Sequence, residues 1–414
     1  MPDDRVQANK ATLVAELPRL ISAAPHRLLF AAGASAVIVS MLWWAIVLVG
    51  ARSGWTLPAP PVPPGWAHAL LVQFGMLGPF LFGFLLTVFP RWLNRPALAR
   101  RHYVPVFAGV FGGYLLAHIG LLTGMPAFAA GLALTIAGWI AGLVVLGRVL
   151  LAAGRFDQHA ASCYAALLSG AAGLIAFAAA LATQRWLLVP AAVKLGTFGL
   201  LLPIYFTVCH RMVPFFSANL VPGYRMVRPA WSLPLLWLFS LAHLVLELAP
   251  MPRWLWLVDA PFALYFLAHS IAWQPWKARV SGLLLVLHLA LFWLPLAFAL
   301  YSLQSFVLFA GGETILGRAP VHALTVGFFG SMLVAMVTRV TQGHSGLPLV
   351  MGTVPWICFA GVQVVAVLRV LAETRRDPTY WFAVAACAWI VAFLPWVLRS
   401  LWIYASPRAD GAPG

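Results

Sequence analysis

Long runs of apolar residues, separated by short breaks rich in proline, glycine and charge, dominate the 414-residue chain. Each run holds about 20 residues, the length that an α-helix needs to cross the ~30 Å hydrocarbon core of a bilayer. Breaks such as PAPPVPPG and PRWLNRPALARR end the first two runs. The pattern predicts about twelve spanning helices, at residues 27–50, 66–90, 103–123, 126–151, 160–182, 186–210, 230–249, 252–272, 278–302, 319–341, 350–372 and 379–403.

These spans predict an all-α fold, a polytopic membrane helix bundle. A polar segment at residues 1–26 precedes a single helical domain at 27–403, and a short tail follows at 404–414. The polar start has no apolar core followed by small residues, so we expect no cleaved signal peptide. The first span is then expected to direct insertion.

Composition agrees with a lipid environment. Of all residues 63% are hydrophobic and only 9% are charged, whereas soluble domains are about a quarter charged. The net charge of +16 does not indicate a nucleic-acid partner, because the Lys and Arg residues sit in short gaps between apolar runs instead of forming a polar basic face. The expected surroundings are therefore a lipid bilayer.

Basic residues also predict the orientation of the chain. They concentrate in alternate loops, which the positive-inside rule assigns to the cytoplasm. Both termini are then expected in the cytoplasm, with the even-numbered spans running inward. The residues on the inner side are Arg91, Arg95, Arg100, Arg101, Arg155, Arg211, Arg225, Arg228, Lys277, Arg279 and Arg339, and the pair Arg375–Arg376 is the exception.

The acidic residues and the cysteines limit the kinds of function that the chain can have. Glu247 and Asp259 lie near the outer ends of the seventh and eighth spans, and no carboxylate falls at the centre of any span. This distribution argues against a proton-coupled transporter or pump, which usually keeps such groups there. The four cysteines form no C-x-x-C pair and fall in or beside apolar runs, so we expect buried thiols.

Histidine is the exception among the polar residues, because several of the eleven fall inside spans, where an imidazole is costly unless it binds something. His68 begins the second span and His322 begins the tenth, so both imidazoles should lie at similar depth near the outer face. Such a pair suits the two axial ligands of a b-type haem held between helices. Each could equally be a hydrogen-bonded structural residue.

Three further residues fit this arrangement. Gly75, two turns below His68, and Gly327, just over one turn below His322, would leave room for a porphyrin. Lys194 lies in the outer half of the sixth span, where its ammonium either pairs with a haem propionate or extends to the interface.

A second group of residues suits copper. Cys209 and His210 end the sixth span and His344 follows the tenth, and a soft thiolate with imidazoles is a copper ligand set. An arginine beside a histidine is also an ordinary interfacial anchor. His288, the deepest histidine of the set within spans, is the best third candidate, and its alternative role is a hydrogen bond between helices. The other histidines within spans are His118, His243 and His269.

Four blocks of the sequence resemble the NnrS family. They are HALTVGFFGSMLVAMVTRVTQGHSG from His322 to Gly346, FGFLLTVFPRWL from Phe82 to Leu93, CHRMVPFF from Cys209 to Phe216, and HLALFWLP from His288 to Pro295.

This resemblance implies a haem- and copper-containing protein of the bacterial inner membrane, associated with denitrification and with the response to nitric oxide and nitrosative stress. It supports His68 and His322 as haem ligands, and His210, His288 and His344 as ligands of copper or a second metal. Many relatives carry a His-x-His-Glu motif at the start of the second helix. Here the stretch reads Trp-Ala-His-Ala at residues 66–69, so this chain has one histidine of that motif and lacks its second histidine and its carboxylate.

The twelve-helix plan is also similar to the catalytic subunit of haem–copper oxidases and nitric oxide reductases. Their low-spin haem uses histidines on the second and tenth helices, which correspond to His68 and His322. The ligand set of their binuclear centre is missing, because the sixth and seventh spans hold only His210 and His243 and position 324 is leucine. The resemblance therefore implies one haem without a binuclear centre.

Taken together, the residues and the resemblance predict a haem-containing protein of nitric oxide metabolism. It would bind nitric oxide, exchange electrons with a redox partner, or protect other metal centres from nitrosylation. A permease or metal-handling transporter without haem is one alternative, and an assembly partner of a respiratory complex is another.

Overall fold

The computed structural model describes residues 16–411, and the predictions for residues 1–15 and 412–414 lie outside this range. Helices make up 81% of the structure and no strand occurs among the described residues. The predicted all-α class is confirmed.

Twelve long helices within residues 16–411 correspond to the twelve predicted spans. Ten are long and apolar enough to cross a membrane, which supports a multi-pass membrane protein. The seventh and eighth have 17 residues each and rise about 26 Å, short of a full crossing. The helices are α1 Pro25–Ser53, α2 Pro64–Trp92, α3 Arg100–Thr123, α4 Met125–Ala152, α5 Gln158–Thr183, α6 Leu188–Leu220, α7 Ser232–Leu248, α8 Trp256–Ala272, α9 Gly282–Phe309, α10 Ala319–His344, α11 Thr353–Ala372 and α12 Pro378–Ala405.

Successive helices run in opposite directions, so the even-numbered helices all begin at one end of the bundle. At that end Arg52, from the last turn of α1, donates to Asp377, which caps the start of α12, at 2.6 Å. At the other end Arg27 of α1 donates to the carbonyl oxygen of Ile403 near the end of α12. We call the first end the His68 end and the second the His210 end, after a histidine that lies towards each.

Three helices form the centre of the bundle. The most apolar stretch of α2 is 83% buried, that of α6 is 83% buried and that of α10 is 78% buried, against 39–44% for the peripheral helices α1, α3, α4, α5, α11 and α12. Since apolar helix faces turned outward need lipid around them, this contrast separates central from lipid-facing helices. The central helices are also those that carry His68, Lys194 and His322.

Each central helix contains a π-helical segment. The segments are Leu71–Met76 in α2, Leu195–Leu201 in α6 and Ala323–Gly330 in α10. The first two are joined across the helices, since the Gln73 amide donates to the Thr197 hydroxyl at 2.8 Å. Segments of this kind occur frequently at functional sites.

Glycines bring α3 and α4 into close contact. A Cβ added to Gly109 would lie 2.3 Å from the Cα of Gly138, and one added to Gly113 would lie 2.4 Å from the Thr135 hydroxyl oxygen. Small residues at such positions let membrane helices approach each other. At these glycines the small residues serve helix packing.

Three cysteines are buried as expected, namely Cys163, Cys209 and Cys358. The expectation is wrong for Cys387, which is exposed. It lies on α12, a peripheral helix whose outward face has no protein against it, so an apolar run does not imply burial there.

Candidate functional site

The two predicted haem ligands lie at the same end of the central helices. His68 lies in the first α-helical turns of α2, three residues before the π-helical segment, and His322 immediately precedes the segment of α10. Both residues lie in the opening turns of even-numbered helices, which begin at the same end of the bundle. The structure therefore brings the pair to the same level of the bundle.

The ring of His322 is fixed by a backbone hydrogen bond. Its Nδ1 lies 2.8 Å from the carbonyl oxygen of Arg318, one turn earlier. A carbonyl only accepts, so Nδ1 carries the hydrogen and Nε2 keeps its lone pair. This is the arrangement in which ligating histidines are usually held, with the second ring nitrogen donating to a carbonyl or carboxylate.

The ring of His68 is held by stacking instead. It lies over the indole of Trp44 from α1, with 4.3 Å between ring centroids and 17° between planes. Its Nδ1 is buried and has no hydrogen-bond partner in the protein. An imidazole with an unpartnered buried nitrogen is costly unless a ligand compensates for it.

Two arginines give this end of the bundle a positive field. The charges of Arg318 and Arg369 act on both imidazoles. Arg369 is only 9% exposed; it donates to Glu373 at 2.8 Å and lies 3.9 Å above the ring of Phe382. Sequence reasoning missed Arg369, although a single arginine within the apolar span VLRVLA was the available signal.

A third imidazole lies nearby on α3. His118 Nδ1 is 3.0 Å from the carbonyl oxygen of Tyr114, and its Nε2 is buried without a partner. Its ring is 6.4 Å from that of Trp43, the neighbour of Trp44. His118 therefore has the same free nitrogen as His322.

Lys194 and the two glycines have other partners than those expected. Lys194 Nζ lies 2.5 Å from Glu247 Oε2, so its pairing with a propionate stays a prediction. The expectation that Gly75 and Gly327 leave room for a porphyrin is wrong. A Cβ at Gly75 would lie 2.2 Å from the Tyr114 ring, and one at Gly327 would lie 2.4 Å from the Trp293 indole, so aromatic side chains already fill both places.

His210 belongs to a separate cluster towards the opposite end. Its Nδ1 lies 3.0 Å from Nε2 of His159, in the first turn of α5, and its own Nε2 is buried without a partner. Asp157 caps α5 and forms a 2.9 Å ion pair with Arg211. Sequence reasoning did not single out His159, because it precedes the apolar run and only the contact between α5 and α6 gives it a role.

The other two predicted metal ligands lie apart from His210. His344, at the end of α10, packs against His26 of α1 with 4.2 Å between ring centroids. His288 is 2% exposed in α9, and neither of its ring nitrogens has a partner in the protein. The expected alternative role of His288, a hydrogen bond between helices, is therefore wrong.

The histidine, cysteine and carboxylate side chains can be compared with the ligand sets of a copper ion and of a haem. Within residues 16–411, no three His, Cys, Asp or Glu side chains converge as ligands of one ion. His210, His288 and His344 therefore do not form a shared copper site. A haem would take two axial nitrogens and positive charge for its propionates, and His68, His322 and the two arginines offer these groups, whereas Tyr114 and Trp293 fill the places beside Gly75 and Gly327 where room for the ring was expected.

Comparison with known proteins adds one finding. A family model described as NnrS protein matches residues 20–408, nearly the whole chain. Comparison with curated proteins finds no match.

Proposed function

The chain belongs to the NnrS family of nitric-oxide-related membrane proteins, and we propose on this premise that it is a haem-containing inner-membrane protein of nitric oxide metabolism or protection from nitrosative stress. A b-type haem would lie between α2 and α10, with His68 and His322 as axial ligands. The observation that carries the proposal is the hydrogen bond from His322 Nδ1 to the Arg318 carbonyl oxygen, which leaves Nε2 free at the level of His68.

The positive charge of nearby arginines supports the same position for the haem, between α2 and α10. Arg318 and Arg369 would hold the two propionates, because their positive charges act on both imidazoles. Arginine suits this task since its planar guanidinium binds carboxylates with two hydrogen bonds. Arg369 and Lys194 already pair with Glu373 and Glu247, so Arg318, which has no ion pair among the described residues, is the strongest of the three candidates.

The two imidazoles are held differently, and this bears on nitric oxide. When bound, the haem supplies a one-electron redox centre. Electron transfer needs no ligand to leave, whereas direct binding of nitric oxide needs one axial position to open. His322 is anchored to the Arg318 carbonyl, but His68 has no hydrogen bond at Nδ1. Of the two imidazoles, His68 is therefore the one that no hydrogen bond at Nδ1 orients.

Optical spectra of the detergent-purified protein test the proposal. Oxidised and dithionite-reduced samples of the wild type should show a Soret band and a sharp reduced α-band, with a shift when nitric oxide is added to the reduced form. His68→Ala and His322→Ala should each remove or strongly alter these bands while the protein still inserts. A wild-type spectrum in either variant would mean that the residue is not an axial ligand.

Two further histidine variants sharpen the result. His269→Ala is the matched control, because both nitrogens of His269 already have partners, the Ser232 hydroxyl and the Tyr265 carbonyl oxygen. Its spectrum should be that of the wild type. His118→Ala tests the neighbouring imidazole, and loss of the bands there with retention in His322→Ala would replace the proposed pair by His68 and His118.

Copper stays a prediction, since His210, His288 and His344 have no common centre. Metal analysis of the purified protein, repeated on single alanine variants of these histidines, tests it. Colourless and metal-free protein with the correct fold would contradict both cofactor proposals and favour a permease or an assembly partner.

A further inference from the structure

Four ionisable side chains from three helices form a network at the His68 end that the candidate haem site does not use for ligation. Lys194 Nζ of α6 lies 2.5 Å from Glu247 Oε2 of α7. The same Oε2 lies 3.8 Å from His243 Nε2, one turn earlier on α7. His243 Nδ1 in turn lies 2.7 Å from Asp259 Oδ1 of α8. The four groups thus form one row.

Exposure falls along this row. The side chain of Lys194 is 28% exposed and that of Glu247 14%, whereas those of His243 and Asp259 are fully buried. One end of the row therefore reaches the surface and the other lies inside the protein. A buried carboxylate is tolerated at position 259 because it accepts a hydrogen bond from His243 and lies in the first turn of α8, where the helix dipole favours negative charge.

Two atoms in the buried part have no hydrogen-bond partner, namely His243 Nε2 and Asp259 Oδ2. The Nε2 atom faces Glu247 Oε2 at 3.8 Å, just beyond hydrogen-bonding distance. A small rotation of the Glu247 carboxyl closes this gap. The imidazole then has a partner on each nitrogen, as a proton relay requires.

The four side chains of the row carry a net negative charge that one added proton would neutralise. With a neutral imidazole, one ammonium faces two carboxylates, which leaves one uncompensated negative charge among buried groups. Burying an unpaired charge is strongly unfavourable, and one added proton makes the row neutral. Tyr301 of α9 is the further titratable group that faces the row, and it interacts electrostatically with both carboxylates.

Aromatic rings close the inner end of the row. Phe198 lies 4.0 Å and Phe298 5.8 Å from the His243 ring, measured between centroids. Phe262, about one turn after Asp259 in α8, packs against Phe298 at 4.4 Å between ring centroids. These rings are buried and offer no hydrogen-bonding atom. The row therefore leads inward from the His68 end and stops at Asp259.

We propose that Lys194, Glu247, His243 and Asp259 form a blind-ended chain that loads a proton from the His68 end onto the buried His243–Asp259 pair. A proton from water first binds the Glu247 carboxylate. It then passes from Oε2 to His243 Nε2 as the Nδ1 hydrogen moves to Asp259 Oδ1. Glu247 is again a carboxylate, the imidazole is neutral with its hydrogen on Nε2, and Asp259 is protonated. Lys194 holds Glu247 in position and gives up no proton.

Infrared spectroscopy after a rapid pH drop tests this chain in full-length protein reconstituted in liposomes. The wild type should develop the C=O stretch of a protonated buried carboxyl group, and Asp259→Asn should lack that band. Glu247→Gln should reach the same final band but about 100-fold more slowly, the size of effect expected from losing a positioned acid–base group. Glu247→Asp should restore most of the rate.

Glu373→Gln is the matched control. Glu373 is 13% exposed and pairs with an arginine one turn earlier, but no imidazole belongs to its ion pair. Its variant should load at the wild-type rate. A band that persists in Asp259→Asn, or a wild-type rate in Glu247→Gln, would reduce the row to a structural ion network. If Asp259→Asn does not fold, the rates of the two Glu247 variants still decide.

A second measurement tests the blind end. Proteoliposomes containing the wild type should hold a pH gradient as long as protein-free vesicles do. A leak that disappears in Glu247→Gln would overturn the blind-ended chain in favour of a path across the membrane. His68 and His322 take no part in either measurement, so loss of the haem proposal and loss of the proton chain are separate results.

Discussion

His68 and Trp44 stack with their rings 17° from parallel and 4.3 Å apart, and this contact joins α2 to α1 beside the candidate site. Since His68 Nδ1 has no hydrogen bond, the indole is the partner that sets the plane of the imidazole. The position of a proposed axial ligand thus depends on a residue that would not itself touch the metal.

Trp44→Leu should therefore weaken haem retention. An aromatic pair contributes about 1 kcal/mol beyond its buried area, so haem loss should be roughly three- to tenfold faster. Transfer of haem to an excess of apomyoglobin measures this rate. Trp43→Leu is the control, because Trp43 contacts His118 and not His68, and equal rates in the two variants would contradict the role of stacking.

His288→Leu should stabilise the protein in the absence of bound metal. Both ring nitrogens of His288 are buried without partners, and each such group costs about 1–3 kcal/mol. The thermal unfolding midpoint in detergent checks this. His269→Leu serves for comparison and should destabilise, because it leaves the Ser232 hydroxyl without its partner. A lower midpoint for His288→Leu would indicate that a ligand uses this imidazole.

Gly109→Ala should separate α3 from α4. Its new methyl group would lie 2.3 Å from the Cα of Gly138, where only backbone could move away. We expect a loss of about 1–3 kcal/mol, as for overpacked cores. Gly112→Ala is the matched control on the same helix, since its methyl group meets only Leu134 Cδ2 at 3.7 Å. Similar unfolding midpoints for the two variants would contradict the packing argument.

Asp157 should make stability depend on pH. Burial raises the pKa of its carboxyl, but the Ala160 N–H and the Arg211 guanidinium outweigh burial and hold that pKa below its ordinary value. The contribution is therefore complete above about pH 4 and is lost as the pH falls through the lowered pKa.

Asp157→Ala should then lower the unfolding midpoint at pH 7 by removing both the helix cap, which contributes about 1 kcal/mol, and the ion pair. Asp157→Asn keeps an oxygen for the cap and should lose less. The difference from the wild type should shrink on acidification, and a difference that stays constant to pH 3 would exclude the ion pair as its cause.

The sequence predicted the helices and the end of the bundle at which a residue lies, because both depend on position along the membrane normal. Twelve helices occur where the apolar runs placed them, ten of them long enough to span a membrane, and alternation put His68 and His322 at one end. It did not predict lateral neighbours. The partner of Lys194 proved to be Glu247, and Gly75 proved to face Tyr114, because both contacts depend on which helices lie side by side.

The carboxylates illustrate the same limit. Glu247 and Asp259 were expected near the outer ends of their helices, and the sequence made no prediction of their burial. Asp259 is fully buried, because α7 and α9 cover it and His243 supplies a hydrogen bond. Nearness to a helix end does not fix burial when the helix is as short as α8.

The π-helical segments beside His68, Lys194 and His322 mean that spacing along the chain matters here as much as side-chain identity. Each residue of an α-helix advances the direction of the side chains by about 100°. Removing one residue from such a segment would restore regular α-helical winding and turn one half of the helix against the other by that angle. All other side chains would be kept, yet the imidazole of His68 or His322, or the ammonium of Lys194, would point to a different neighbour.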